Sequence, residues 1–442
     1  MTPIRITLTL LVLLGLGAGA TIAVGNGGHG GRGGYEVWTV DQSNSAGKAS
    51  GGTLYVYNGK RLARDGGDAA PERIDLGGPA EEMCLAKTGT VPVRPHMLLF
   101  NSSRTHAVLS FVASGHVLFI DASARKPVAC LDAGIQAHAA VPAPDQSYVV
   151  VANQNGKLLQ RIRTDYKRGR FTLEDAATLD LATGVTPSGA PRQDPVLRPD
   201  NAPICPLVES SSRLSFVTLR GGGLFVVDAR ATPMRIVAEY DKDTIHGNGC
   251  GGLETGGKMY VNSGGGTAAN MAEFDVYTFR LKDFSPWRTS PPNTPRRRLV
   301  FSQDDLDHTD SHGATLTRHG RYLWVADRMG NRIVVLDTWT DRPVGEFPVA
   351  GALSSDPSPD LLDTSPDGDR VYASLRGSIP LSGDPHASTG NTPGLCVLKV
   401  KDGGRTGEVE SIARIANVDP AGIDRADPHA LRVRTLSPKW GG

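Results

Sequence analysis

"HGATLTRHGRYLWVADRMGNRIVVLD", His312 to Asp337, is the stretch that decides the fold. Short alternating apolar runs, "RYLWVAD" and "RIVVLD", are separated by Gly, Asp and Asn turns, and no helix-length apolar period runs through them. Two further segments, "TWTDRP" and "VGEFPV", complete one four-stranded antiparallel unit. The same pattern stands at His138 to Leu159, "HAAVPAPDQSYVVVANQNGKLL". Seven copies begin at His96, His138, Cys205, Cys250, His312, Asp360 and His429, spaced 42 to 69 residues apart. Repetition at this period predicts an all-β, seven-bladed β-propeller with long loop insertions in alternate units.

The two ends of the chain predict how the ring closes. After His429 only "HALRVRTLSPKWGG" remains, enough for one inner strand, while "YEVWTVDQ" and "GGTLYVYNG" near the start match "RYLWVADR" and "NRIVVLDT". N-terminal strands are therefore expected to pair with the C-terminal inner strand and to remove the exposed edges.

"SPDG" at Ser365 to Gly368 followed by "RVYAS", with "YVVVAN" at Tyr148 to Asn153 and "YLWVAD" at Tyr322 to Asp327, resembles the bacterial YVTN β-propeller repeat family. The resemblance spans most of the chain from about Tyr35. It implies architecture more than activity, because relatives include scaffolds, lactonase-like hydrolases and exported proteins of other kinds.

Residues 1–24 read as a signal peptide: Arg5 precedes an apolar stretch, and Ala18 and Ala20 offer a cleavage site. An uncleaved anchor is the alternative reading. Residues 25–34, "GNGGHGGRGG", read as a Gly-rich tether, and residues 35–442 as the propeller. Export to the periplasm or the exterior is the expectation, with no stable membrane insertion after cleavage. With 47 basic against 46 acidic residues and no basic stripe, no nucleic-acid partner is expected. Of the five cysteines, Cys84 and Cys130 could pair and Cys396 lies in a strand as a small buried apolar residue.

In a propeller the first strand of each blade lines the axis, so repeat-equivalent residues meet around one channel mouth. Six of the seven such positions are His or Cys in a chain holding only 11 histidines and 5 cysteines. A second tier stands four residues upstream: Asn201, His246, His308 and Asp356. Imidazole and thiolate suit copper and zinc, whereas calcium and magnesium require oxygen. The expected metal set is His96, His138, Cys205, Cys250, His312, His429, His246, His308 and Asp360. His429, His96 and His138 would form one face, and Cys205, Cys250 and His312 the opposite arc. Copper is the first choice and zinc the second; a Cys205–Cys250 disulfide is the competing structural reading. No role is assigned to His106, His116 or His319.

Three functions are compatible with this reading. The leading one is an exported metalloprotein, an oxidoreductase on a small substrate that enters at the axial loop face; by architecture it is similar to copper-bearing propellers such as the catalytic domain of nitrous oxide reductase. The second is a non-catalytic scaffold gripping a protein or surface polymer with its loops. The third is a lactonase-type hydrolase, for which the ring offers few oxygen ligands.

Overall fold

A computed structural model describes residues 34–247, 249–264, 274–284, 294–303, 309–379 and 389–436. The signal-peptide reading, the tether up to residue 33 and His308 lie outside them. Among the described residues no helix is long and apolar enough to cross a membrane.

Seven antiparallel sheets form the seven blades. Their inner strands are Pro95–Phe100, Ala137–Pro142, Pro203–Val208, Gly252–Thr255, Ser311–Leu316, Pro359–Thr364 and Pro428–Thr435, for blades 1 to 7. Near-continuous apolar runs such as Tyr148–Ala152 and Tyr322–Ala326 place apolar residues on both faces of the sheets, because each blade is covered by a neighbour on either side. The core is accordingly divided into wedges between blades. Val150 and Ala152 of blade 2 pack with Val217 and Phe225 of blade 3, and Tyr260 and Val276 of blade 4 with Leu323 and Val334 of blade 5.

Blade 7 is composite, as the chain ends predict. Tyr35–Asp41 pairs antiparallel with Pro428–Thr435, matching Val37 to Val433, and Thr53–Asn58 and Glu72–Asp75 complete the sheet outward. The Thr39 hydroxyl donates to the Ala430 carbonyl at 2.9 Å, adding a side-chain clasp to the strand pairing.

The polar turn after each inner strand also has a physical cause. Arg104, Gln146, Ser212, Gly320 and Gly368 sit at the same turn position with φ of 55°, 63°, 58°, 68° and 74°. A left-handed residue at that position is what returns the chain, and the copies at Gly320 and Gly368 place glycine there, where that conformation costs least; His319, with φ of 67°, precedes Gly320 in the same turn. His319 is thus a turn residue.

Candidate axial metal centre

The anchors point at one another because the inner strands break register at them. The pairing between inner and second strand slips between Pro95 and Leu98, Ala137 and Ala139, Pro203 and Pro206, Ser311 and Ala314, and Pro359 and Leu362. In blade 7 the slip falls opposite His429 and Ala430. Each is a bulge at the anchor, a device that re-aims a side chain at the cost of a ladder hydrogen bond. At the three histidine anchors of blades 2, 5 and 7 the freed carbonyl is capped from the preceding blade: Ser110 donates to the His138 carbonyl at 3.0 Å, Asn262 to that of His312 at 2.8 Å, and Ser374 to that of His429. In blade 4 the strand begins only at Gly252, so Cys250 stands just before it.

Four imidazoles form one cluster. The rings of His96 and His429 stack at 4.0 Å between centroids, His96 meets His138 edge-on at 4.5 Å, and His312 meets His429 at 5.2 Å. His312 therefore joins the histidine face. The expected opposite arc is corrected: the channel is narrow enough for a blade 5 side chain to reach one of blade 7 across Asp360. His138 alone of the four is more than marginally exposed.

The tautomers follow from the acceptors. His138 Nδ1 lies 3.0 Å from the Ile204 carbonyl, which can only accept. His96 Nδ1 lies 2.9 Å from Gln42 Oε1, and the Gln42 amide is oriented by its own NH₂ donating to Asp427 Oδ2 at 2.6 Å. His429 Nδ1 lies 2.6 Å from Asp360 Oδ2. All three carry their proton on Nδ1 and present a lone pair at Nε2. The Nε2 atoms of His96 and His138 then face each other at 3.2 Å, lone pair to lone pair. His429 Nε2 is buried without a hydrogen-bond partner. His312 Nδ1 is 2.8 Å from Asp360 Oδ1 but off the hydrogen-bonding direction, so the two are paired by proximity alone.

Behind the imidazoles runs a buried charge network. Arg328 holds Asp310 through two bonds of 2.7 and 3.0 Å, and Arg376 holds Asp427 through two of 2.7 and 2.9 Å. Both guanidinium groups also approach Asp360, at 3.6 and 3.2 Å. Three carboxylates formally face two guanidinium groups, one negative charge in excess. Burial pushes the Asp360 carboxyl up, but His429, His312, Arg328 and Arg376 pull it down further, and it ends well below the usual range. Burial, with His429 and His138 adding to it, holds His96 well below the ordinary imidazole value. Burial likewise lowers His429, to about 4, against the opposing pull of Asp360.

Several expectations change here. Asp360 is fully buried, with His312, His429 and the two arginines around its carboxylate. Cys205 and Cys250 are joined as a disulfide, so of the two readings the structure has the bond and no thiolate. His246 is held on the buried Asp275, its Nδ1 2.6 Å from Oδ2, on the loop entering blade 4. Asn201 and Asp356 of the same tier donate to the Leu181 carbonyl and accept from Asn331, respectively. The Cys84–Cys130 pair is formed and Cys396 is buried and free, as expected.

Sequence reasoning missed Gln42, Arg328 and Arg376, which occupy one repeat-equivalent place, the residue after the second strand. It also missed Asp310 and Asp427. The recurring "DSH" at Asp310 to His312 and "DPH" at Asp427 to His429 was the available signal.

No family model matches the chain, and no curated protein does. Among solved structures it is similar to a protein from Lactobacillus plantarum, at 11% identity and TM-score 0.58 over 91% of this chain and 100% of that one. A putative 6-phosphogluconolactonase from Bacteroides fragilis follows, at 11% identity and TM-score 0.55 over 90% and 98%. A periplasmic gluconolactonase from Pseudomonas aeruginosa aligns at 13% identity and TM-score 0.54 over 91% and 100%. These likenesses establish the fold: the chain is a seven-bladed β-propeller.

Proposed function

We propose that the chain is an exported metalloprotein that holds copper, with zinc second, on the Nε2 atoms of His96, His138 and His429, with His312 beside them. The facing Nε2 lone pairs of His96 and His138, 3.2 Å apart, carry this reading. Two such lone pairs repel unless a cation lies between them, and the excess negative charge of the arginine–carboxylate network calls for the same thing. Acceptors fixed on the Nδ1 side are also the support that metal-binding histidines use to set tautomer and ring orientation. With the thiols joined, softness no longer separates the metals; imidazole donors and the greater affinity of such sites for copper(II) than for zinc(II) do.

When bound, copper would supply one-electron chemistry to a small substrate. The protein's own part is to hold the four rings by Gln42, the Ile204 carbonyl and Asp360, and to leave His138 as the exposed edge. Two disulfides suit an oxidising compartment and support export.

The test is metal retention. Apo-protein loaded with copper(II) or zinc(II) and desalted should keep a stoichiometric amount of copper, and His96→Ala and His138→Ala should lose it while remaining folded. No retention by the wild type, or equal retention by both variants, overturns the reading and leaves a shared proton between the two rings as the explanation.

A second reading, hydrolysis of a sugar lactone, draws on the names of two structural neighbours. Lactone turnover that depends on calcium and survives His96→Ala would favour it.

A further inference from the structure

We propose that the Cys205–Cys250 bond covers a second, sulfur-containing metal position, which a small dithiol opens and which then takes copper(I) together with His138. The inference rests on the axial reading only through His138, which the two positions would share. A sulfur from each cysteine and a ring nitrogen of His138 lie within 4.8 Å of one another. Among the described residues Cys84 and Cys130 belong to no such cluster, which separates a bond that ties a helix to an outer strand from one that stands at the channel.

The backbone around the pair is fixed without the bond. The Cys205 N–H donates to the Thr218 hydroxyl at 3.2 Å, and that hydroxyl donates to the carbonyl of Gly249, the residue before Cys250. Blades 3 and 4 thus stay in register when the sulfurs separate, and both sulfurs stay at the rim. Ring closure is carried elsewhere, by the strand pairing of blade 7. Cys205 and Cys250 are only 2% and 6% exposed, so the reductant class is a small dithiol that can enter the channel.

The chemistry balances as a thiol–disulfide exchange. One thiolate of the dithiol attacks a cysteine sulfur and forms a mixed disulfide; its second thiol closes on the first, forming the reductant's own S–S bond and releasing the protein. The protein bond takes up two electrons and two protons and becomes two thiols. Copper(I) then displaces those two protons as the sulfurs ligate it, the pairing that soft thiolates select.

The experiment compares wild type with Cys205→Ser/Cys250→Ser, each air-oxidised or treated with dithiothreitol that is then removed without oxygen. Copper(I) is titrated against a chromophoric chelator, and cysteines are alkylated and located by peptide mass. Reduced wild type should hold one copper(I) more than the reduced double variant, and the metal should shield Cys205 and Cys250 from alkylation. In reduced protein His138→Ala should weaken this copper(I) by at least about tenfold, since even outer partners of a ligand matter that much. Failure of dithiothreitol to open the pair, or equal copper(I) binding by reduced wild type and double variant, overturns the proposal. Copper(II) held equally by oxidised wild type and the double variant supports the imidazole site whatever the sulfurs do. Its absence from both, with copper(I) held only by reduced wild type, rejects the imidazole site and keeps the sulfur one.

Discussion

Asp360→Asn isolates the charge on which the axial network turns. The substitution preserves shape and removes one negative charge. Arg376 keeps Asp427, and Arg328 keeps Asp310, but both guanidinium groups lose the carboxylate they share, at 3.2 and 3.6 Å in a site from which water is excluded. A carboxamide also offers one oxygen where the carboxylate had two. Either His429 or His312 then meets an NH₂ group, since both present Nδ1 to opposite oxygens of Asp360. With Asp360 neutral each guanidinium still has its own carboxylate, so the loss expected in metal-free protein is that of the charged hydrogen bond to His429, about 1.5–3 kcal/mol. Urea unfolding followed by tryptophan fluorescence measures it, with Trp38 and Trp324 both fully buried; urea is chosen because guanidinium would screen the effect. Asp356→Asn, which disturbs a single acceptor for Asn331, should stay within about 1 kcal/mol and serves as the control. A loss for Asp360→Asn no larger than that of the control would refute the argument that this carboxylate is the shared counter-ion.

Three further outcomes follow from the fold and its polar groups. Removing residues 35–58 deprives Pro428–Thr435 of its sheet partner, and the cooperative unfolding transition should disappear; a truncated protein melting like the full chain would rule out the closure. Gly313→Ala drives a Cβ against the Asp360 carbonyl and the Leu361 backbone of the neighbouring inner strand, and should cost about 1–3 kcal/mol by overpacking, read from the shift in urea midpoint. Burial pushes the Glu209 carboxyl up, but the Ser211 hydroxyl and the N–H groups of Leu214, Ser211 and Arg213 hold it below the usual range. A depressed carboxyl stabilises the fold above its unfolded value of about 4.3 and loses that contribution as pH falls through the folded value. Glu209→Gln should therefore lower stability at neutral pH and flatten the acid limb, and identical limbs would count against the turn's dependence on this carboxylate.

The blades and their closure were legible because they rest on local physics. Period-two runs, left-handed turn residues and the strand-like chain ends are all written in short segments. The identity of the anchors was legible too, since repetition puts His96, His138, His312 and His429 in one place without any need for coordinates. What repetition could not reveal is how far each anchor reaches. Asp360 has the same address as the histidines, yet it ends behind them, because Arg328 and Arg376 from the second strands of blades 5 and 6 fill the space around it. In the other blades the residue after the second strand is Val112, Gln154, Arg220 or Gly264, so no single residue type marks the position.

The bulge explains why one scaffold can carry such different chemistry at a single address. At each slip the backbone is already distorted, and in blades 2, 5 and 7 the freed carbonyl is capped by a side chain of the preceding blade, Ser110, Asn262 or Ser374. The anchor side chain therefore contributes little to holding its own strand. Histidine, cysteine and aspartate can occupy it without altering the blade, and the ring divides into a nitrogen arc on blades 7, 1, 2 and 5, a carboxylate on blade 6, and a sulfur pair on blades 3 and 4. His138 lies where the nitrogen arc meets the sulfur pair. That placement is why its replacement should affect both the imidazole-bound metal and the copper(I) of the reduced protein, whereas replacing His312 should leave the latter unchanged.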